Sequence, residues 1–323
     1  MITRYWHRLC IAALVSSSFL ATALAQAPAG SDTSAAHGAI LKVCSDANNL
    51  PLAHRNGEGY ENKIADELAR DLGRRLEYTY FPQRIGFVRN TLRRQDPVTR
   101  EYACDVIIGV PAGYELTATT KPYMRSTYAL VFPVKSGLER IRKPDDLLSL
   151  PDEILSKLRI GVFSQSPGAD WLIRNNMLKQ AVPYQAQSGD PNENPNSIIE
   201  RELTAGNIDA AIVWGPIAAH LVRKHSGTPE WRAVAFERDP QIKFDYAISM
   251  GVRFGEKEWK DTLDQWIAAN QAKINEILIG YGIPLLDEQG KLVSDFRAPD
   301  AVRAGSSPDN ARQLTSQSRD SAS

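Results

Sequence analysis

The chain is poor in the residues that most often advertise chemistry. It has 3 cysteines, 5 histidines and 4 methionines in 323 residues. No GxSxG, HExxH, CxxC or phosphate-loop pattern occurs in it. Nucleophile elbows, zinc-protease helices, thioredoxin-like redox motifs and P-loop nucleotide sites are therefore excluded in their usual sequence forms. An excess of either charge is also missing, since 38 Lys and Arg stand against 38 Asp and Glu. Without net positive charge or a dense basic run there is no electrostatic footprint for nucleic acid. No internal repeat is present. A composition of 43% hydrophobic and 24% charged residues excludes collagen-like, coiled-coil and wholly disordered classes. What remains is a globular chain, long enough for two domains or one large one.

The long apolar run lies at the start. Arg4, His7 and Arg8 precede an uncharged stretch from Leu9 to Leu24, and Ala23-Leu24-Ala25 is a small-x-small cleavage pattern. This predicts a secretory signal peptide at 1–25, cleaved near Ala25. The run is broken by Ser16, Ser17, Ser18 and Thr22, and is shorter than the roughly 20 apolar residues a membrane anchor needs. No later segment is apolar enough to span a bilayer. Cleavage removes Arg4 and Arg8, two of the 38 basic residues, leaving 36 against 38 acidic. It also removes Cys10 and leaves an even pair, Cys44 and Cys104. In an oxidising compartment such a pair invites a disulfide, worth about 4 kcal/mol on the chain-entropy model. Two separate buried thiols are the alternative. No His or third Cys stands at ligand spacing, so no metal site is expected.

Residues 26–38 are small and polar and make a lead-in, and 298–323 make a polar tail that buries too little apolar surface to order itself. Between them, strand and helix signals alternate. Apolar strands are expected at Ile40–Cys44, Leu76–Phe81 and Asp105–Val110, with helices at Glu61–Leu72 and Phe87–Arg94. That order implies a parallel sheet covered by helices. A second, smaller unit follows, with strands at Arg159–Phe163 and Ile208–Trp214 and helices at Ala169–Leu178, Ser197–Ala205 and Ile217–Lys224. A long helix from Glu256 to Tyr281 carries Trp259, Leu263, Trp266 and Ile274 on an apolar face that reads as core. Two extended stretches, near 128–134 and 241–250, join the units. The expected division is 39–132 plus 241–297 for one lobe and 133–240 for the other.

In parallel α/β sheets, ligands bind beyond the carboxyl ends of the strands. The loops there carry Asp46, Asn48 and Asn49 after the first strand, Gln83 and Arg84 after the second, and Gly109 and Pro111 at the third. In the second unit they carry Ser164 and Ser166, and Trp214 precedes Gly215-Pro216. Tyr123 completes this set of cleft candidates. Amides, hydroxyls and glycines of this kind hydrogen-bond a small polar ligand, and the same residues are ordinary turn formers. Arg84 is placed either to reach a carboxylate or a partner protein, or to pair with a neighbouring acid on the surface. Asp66-Glu67 and Asp145-Asp146 read as solvated helix surface or helix starts. No catalytic residues are assigned.

Several longer stretches carry a resemblance. They are Val43-Cys44-Ser45-Asp46-Ala47-Asn48-Asn49-Leu50-Pro51, then Phe81-Pro82-Gln83-Arg84-Ile85-Gly86-Phe87-Val88-Arg89-Asn90-Thr91-Leu92, then Cys104-Asp105-Val106-Ile107-Ile108-Gly109-Val110-Pro111 and Thr120-Lys121-Pro122-Tyr123-Met124-Arg125-Ser126-Thr127-Tyr128. Together these resemble the MxaJ/XoxJ family over about 43–253. The resemblance implies a bilobal periplasmic-binding-protein-like fold of type II, two parallel-sheet lobes joined by two crossover strands. It implies a periplasmic, non-enzymatic accessory of a PQQ-dependent methanol or alcohol dehydrogenase, acting in maturation or activation. In the XoxJ branch that dehydrogenase uses a lanthanide, and PQQ and metal would sit in the partner enzyme, with no cofactor bound by this chain.

The other reading is a solute-binding receptor of an ABC importer, holding a small polar ligand between Asp46, Asn48, Gln83, Arg84 and Ser166. Amino-acid-binding relatives of this fold resemble one another in a Thr-x-x-Arg segment whose arginine clamps the ligand carboxylate. Here that stretch reads Gly113-Tyr114-Glu115-Leu116-Thr117-Ala118-Thr119-Thr120, with no arginine. A desolvated carboxylate without its charged partner loses several kcal/mol, which counts against an amino-acid ligand.

Overall fold

Ile40–Ser45 is an apolar run between turn residues and forms the first strand, β1. The computed structural model describes residues 38–135, 137–186, 193–227 and 230–296. The leader predicted for 1–25, the lead-in up to His37 and the tail predicted for 298–323 lie outside the described residues. After β1 a small hairpin, β2 (Asn48–Asn49) and β3 (Ala53–His54), leads into α1 (Tyr60–Asp71). Ile64, Ala65, Leu68 and Ala69 are buried on one face of α1, as the periodicity predicts. Gly59 caps that helix where a Cβ would lie 2.1 Å from the carbonyl oxygen of Leu52, so the hairpin can approach only a glycine.

β4 (Arg75–Tyr80) runs parallel to β1 on one side, and β5 (Val106–Pro111) runs parallel to it on the other. Between them α2 (Phe87–Asn90) is a single turn, whereas the sequence predicts a helix to Arg94. A side-chain hydrogen bond accompanies the early stop. Asn90 Nδ2 donates to the Gly86 carbonyl at 2.9 Å, and Thr91 Oγ1 donates to the Phe87 carbonyl at 2.6 Å. The Gly86 carbonyl also keeps its bond from the Asn90 backbone N–H, whereas the Phe87 carbonyl is taken by the Thr91 side chain, which competes with helix continuation. Cys44 and Cys104 are joined by a disulfide, with Cα atoms 5.4 Å apart, so the two-thiol alternative is excluded.

The short β6 (Ala118–Thr119) precedes β7 (Met124–Pro133), which runs from one lobe into the other. The second lobe contains α3 (Asp152–Leu155), β8 (Ile160–Phe163), α4 (Pro167–Arg174), β9 (Ala181–Tyr184), α5 (Pro195–Thr204), β10 (Ala210–Trp214), α6 (Gly215–Lys224) and β11 (Trp231–Ala235). The chain returns through β12 (Asp245–Val252) into α7 (Lys257–Gly280) and a last hairpin, β13 (Leu285–Leu286) with β14 (Leu292–Ser294). Strands β9 and β11 escape the sequence reading. Each has four or five residues, and Pro183 inside β9 argues against a strand except at a sheet edge, which is where β9 lies.

The strand order is β4-β1-β5-β12-β7-β10-β8-β9, with β11 also on β7 and β6 on β12. Residues Met124–Thr127 of β7 pair antiparallel with Asp245–Ile248 of β12, and Tyr128–Val131 pair antiparallel with Ala211–Trp214 of β10. The extended stretches predicted to join two units are thus β7 and β12, hydrogen-bonded side by side. Both faces of the sheet are covered. Leu130 and Phe132 of β7 pack with Ile160, Val162 and Trp171, while Ala129 and Val131 pack on the other side with Ile199, Leu203 and Leu221. Trp259 and Trp266 of α7 join Leu41, Val43 and the buried face of α1, so the predicted aromatic pair is core. The architecture is a bilobal α/β fold of the type II binding-protein kind. Among the described residues no helix is long and apolar enough to cross a membrane.

Candidate binding rim at the strand ends

The carboxyl ends of β1, β4 and β5 bring seven predicted residues onto one rim of the first lobe. Asp46 holds that rim together. Its Oδ1 accepts from the Asn48 backbone N–H at 2.9 Å and its Oδ2 from the Gln83 N–H at 2.6 Å. Asn49 Nδ2 donates to Gln83 Oε1 at 2.8 Å. The amides and carboxylate that the sequence offers to a small ligand are therefore largely used to fasten one loop to the next.

Among the described residues, two cavities open on this rim. One, of about 400 Å³, is lined by Asp46 and Asn48 with His54, Arg55, Tyr80 and Phe81. The other, of about 490 Å³, takes in Gln83, Arg84, Gly109 and Pro111 together with Phe87, Arg89, Arg93 and Leu116. Tyr123, Ser164, Ser166 and Trp214 line neither of these two cavities.

Tyr123 is only 1% exposed, so its side chain belongs to the core under the rim rather than to an accessible cleft. It sits beside a residue that the sequence reading misses, Glu61, at the start of α1. Glu61 is 8% exposed, and its Oε1 has no hydrogen-bond partner among the described residues. Burial, and then the negative charge of Asp46, push its carboxyl up to about 8. Burial, and then Glu61, raise the Tyr123 phenol. Gly109 makes room for the acid, since a Cβ there would lie 2.1 Å from Glu61 Oε1. Its predicted place in the cleft is thus a packing role toward Glu61, with its backbone along the second cavity. No sequence signal marks Glu61, because acids in the first turn of a helix are usually solvated.

In the second lobe Ser166 is buried and caps α4, its Oγ accepting from the Ala169 N–H at 3.4 Å. Ser164 is exposed beside it, its backbone N–H bonded to the Tyr184 carbonyl at 2.9 Å. Trp214 stands where β10, β7 and β12 meet. Its ring centroid is 5.7 Å from Tyr128 and 5.9 Å from Tyr246, both edge-on, so the three rings fill the junction between the lobes. Burial, and then Tyr246, push the Tyr128 phenol up to about 12. Asn194, a residue the sequence reading does not single out, crosses between the lobes: its Nδ2 donates to the Asn48 carbonyl at 3.0 Å.

The three described histidines do not assemble a nucleophile–base pair. His54 Nδ1 meets Asn56 Oδ1 at 2.6 Å, and His225 Nε2 meets Glu200 Oε1 at 2.9 Å while stacking on Trp231. Burial, and then Lys224, hold the His220 imidazole below its usual range. Among the described residues no cluster of three His, Cys, Asp or Glu is placed to hold a metal ion.

No family model matches the sequence. Individual proteins do. The chain is 30% identical over 279 residues to Protein MoxJ of Paracoccus denitrificans, covering 82% of this chain and 95% of that protein. The chain belongs to the MxaJ/XoxJ family. Its fold agrees with two solved members. The periplasmic binding protein XoxJ from Methylobacterium extorquens AM1 superposes with a TM-score of 0.60 at 31% identity, over 77% of this chain and 100% of that one. MxaJ from Methlophaga aminisulfidivorans MPT superposes with a TM-score of 0.58 at 26% identity, over 76% of this chain and 100% of the other. The match therefore runs through both lobes.

Proposed function

We propose that this member of the family is a non-enzymatic periplasmic accessory of a PQQ-dependent methanol or alcohol dehydrogenase, acting in maturation or activation of that enzyme. The observation that carries the reading is the 30% identity extending over 95% of MoxJ. A cleaved leader at 1–25 delivers the chain to the periplasm. PQQ and the metal, a lanthanide in the XoxJ branch, belong to the dehydrogenase.

The state of the rim supports a protein partner over a small solute. A solute receptor needs convergent polar groups free to wrap its ligand. Here Asp46, Asn49 and Gln83 are bonded to one another, and Ser166 is spent on a helix cap. An importer receptor for a small polar ligand remains the competing reading, and it predicts ligand-dependent lobe closure and a raised melting temperature.

The test is dehydrogenase activity in periplasm from cells with and without this protein, with total dehydrogenase quantified in both. Lower activity at constant enzyme amount is the expected result. Equal activity overturns the accessory role and turns the search to solutes.

A further inference from the structure

The second rim cavity has a lining that the accessory role does not by itself require. Arg84, Arg89 and Arg93 line it, and among the described residues no Asp or Glu does. The full sequence carries equal numbers of basic and acidic residues, so this local excess is not a reflection of the whole. Arg89 is exposed and makes no ion pair or hydrogen bond among the described residues. Arg93 is braced, its Nη2 donating to the Leu116 carbonyl at 2.7 Å and its guanidinium 5.9 Å from the Phe254 ring centroid.

Apolar surface accompanies the charge. Phe87 and Val110 form the floor, with Ile85 on the wall 88% exposed and Leu116 38% exposed. Phe254, beside Arg93, is 61% exposed. Single exposed apolar residues need no explanation. Ile85 and Leu116 around one arginine-lined groove, with Phe254 next to it, do, because exposed apolar surface rimmed by polar groups marks interaction sites and interfaces are enriched in arginine and aromatic side chains.

We infer that this groove docks an acidic segment with an apolar anchor, contributed by a partner protein. The carboxylates would face Arg89 and Arg93, and the anchor would lie on Phe87 and Val110. Charge complementarity selects the partner: a basic segment meets like charges at Arg89 and Arg93, and a neutral apolar one gives Arg89 no counter-charge. The inference rests on the dehydrogenase reading only for the identity of that partner.

The experiment measures binding of two probes to the full secreted chain at low and high salt. One probe is the apo form of the periplasmic PQQ-dependent dehydrogenase of the same organism. The other is a fluorescein-labelled peptide alternating Glu and Leu, with Lys-for-Glu and Gly-for-Leu versions as controls. Wild type, R89E and R89E/R93E are compared, with melting temperatures to verify folding; R89E leaves the Arg93 brace intact. Binding of both probes is expected to weaken about tenfold or more in R89E/R93E, to weaken in R89E, and to fall with salt. Dehydrogenase binding that all three chains share equally overturns the groove and leaves the accessory role standing. Arginine-dependent binding of the Glu/Leu peptide without any dehydrogenase binding supports the groove and overturns that enzyme as partner. Equal affinity for the Glu and Lys peptides, or for the Leu and Gly peptides, overturns the inference.

Discussion

The side chain of Asn194 does two things at once. Its Oδ1 accepts from the Ser197 N–H at 2.9 Å and caps α5, while its Nδ2 donates to the Asn48 carbonyl at 3.0 Å on the rim of the other lobe. A helix cap in the second lobe is thereby also a latch on the first.

The two roles separate in N194D. Aspartate caps helices about as well as asparagine, but it offers no donor and sets a carboxylate against the Asn48 carbonyl. The expected outcome is a chain of nearly unchanged melting temperature whose lobes open, read as a larger radius of gyration in solution scattering. An unchanged radius with an intact cap would show that the β7–β12 junction, not Asn194, sets the lobe angle.

Glu61 makes stability depend on pH in a particular direction. Its carboxyl is raised from 4.5 to about 8 in the folded protein. The folded state therefore keeps its proton over a range in which the unfolded state has lost it. That contribution is fully present below about pH 4.5 and is lost as pH rises toward 8, by roughly 1.4 kcal/mol for each pH unit crossed. Urea denaturation of wild type and E61Q at several pH values between 5 and 8 checks this. The stability of E61Q relative to wild type should increase steadily with pH, and parallel curves would contradict the buried acid.

The same acid makes residue 109 intolerant of a side chain. In G109A a Cβ would lie 2.1 Å from Glu61 Oε1 and 3.0 Å from its Cδ. Because Glu61 is enclosed by Tyr123 and the strand, the expected loss is about 1–3 kcal/mol. Combining G109A with E61A removes the obstructing atoms, so a double-mutant cycle should show favourable coupling. Additive losses would place the strain elsewhere.

The disulfide closes a 60-residue separation that contains α1, β4 and α2. On the chain-entropy model its removal costs about 4 kcal/mol. C44S/C104S, or treatment with dithiothreitol, should lower the melting temperature, with calorimetry as the check. Arg253 moderates the local damage. It is buried, donates to the carbonyls of both Leu92 and Cys104, and pairs with Glu256 at 2.7 Å, so the residue that follows β12 grips this segment independently of the sulfurs.

Much of the architecture was legible because local patterns and global fold agree. The apolar runs expected as strands at Ile40–Cys44, Asp105–Val110 and Arg159–Phe163 each became a sheet strand, within a residue of those bounds. The failures have local causes. Thr91 turns its hydroxyl onto the Phe87 carbonyl where α2 ends early, and β9 and β11 are too short for a period to register. The rim was legible as a place, since loops after parallel strands converge, but not as chemistry. Whether Asp46 faces a ligand or the Gln83 backbone depends on a loop brought alongside from 37 residues away.

The sequence alone determined the alternation of strands and helices and the family motifs, because both are written in residue order and short-range periodicity. Tertiary structure decided the rest. It joined β7 to β12 at the lobe junction and withdrew Tyr123 into the core. It enclosed Glu61 behind Gly109, and it gathered Arg84, Arg89 and Arg93 around one apolar groove. Burial, charge balance and unmet hydrogen bonds are properties of neighbours in space, and those neighbours come from segments far apart in the chain.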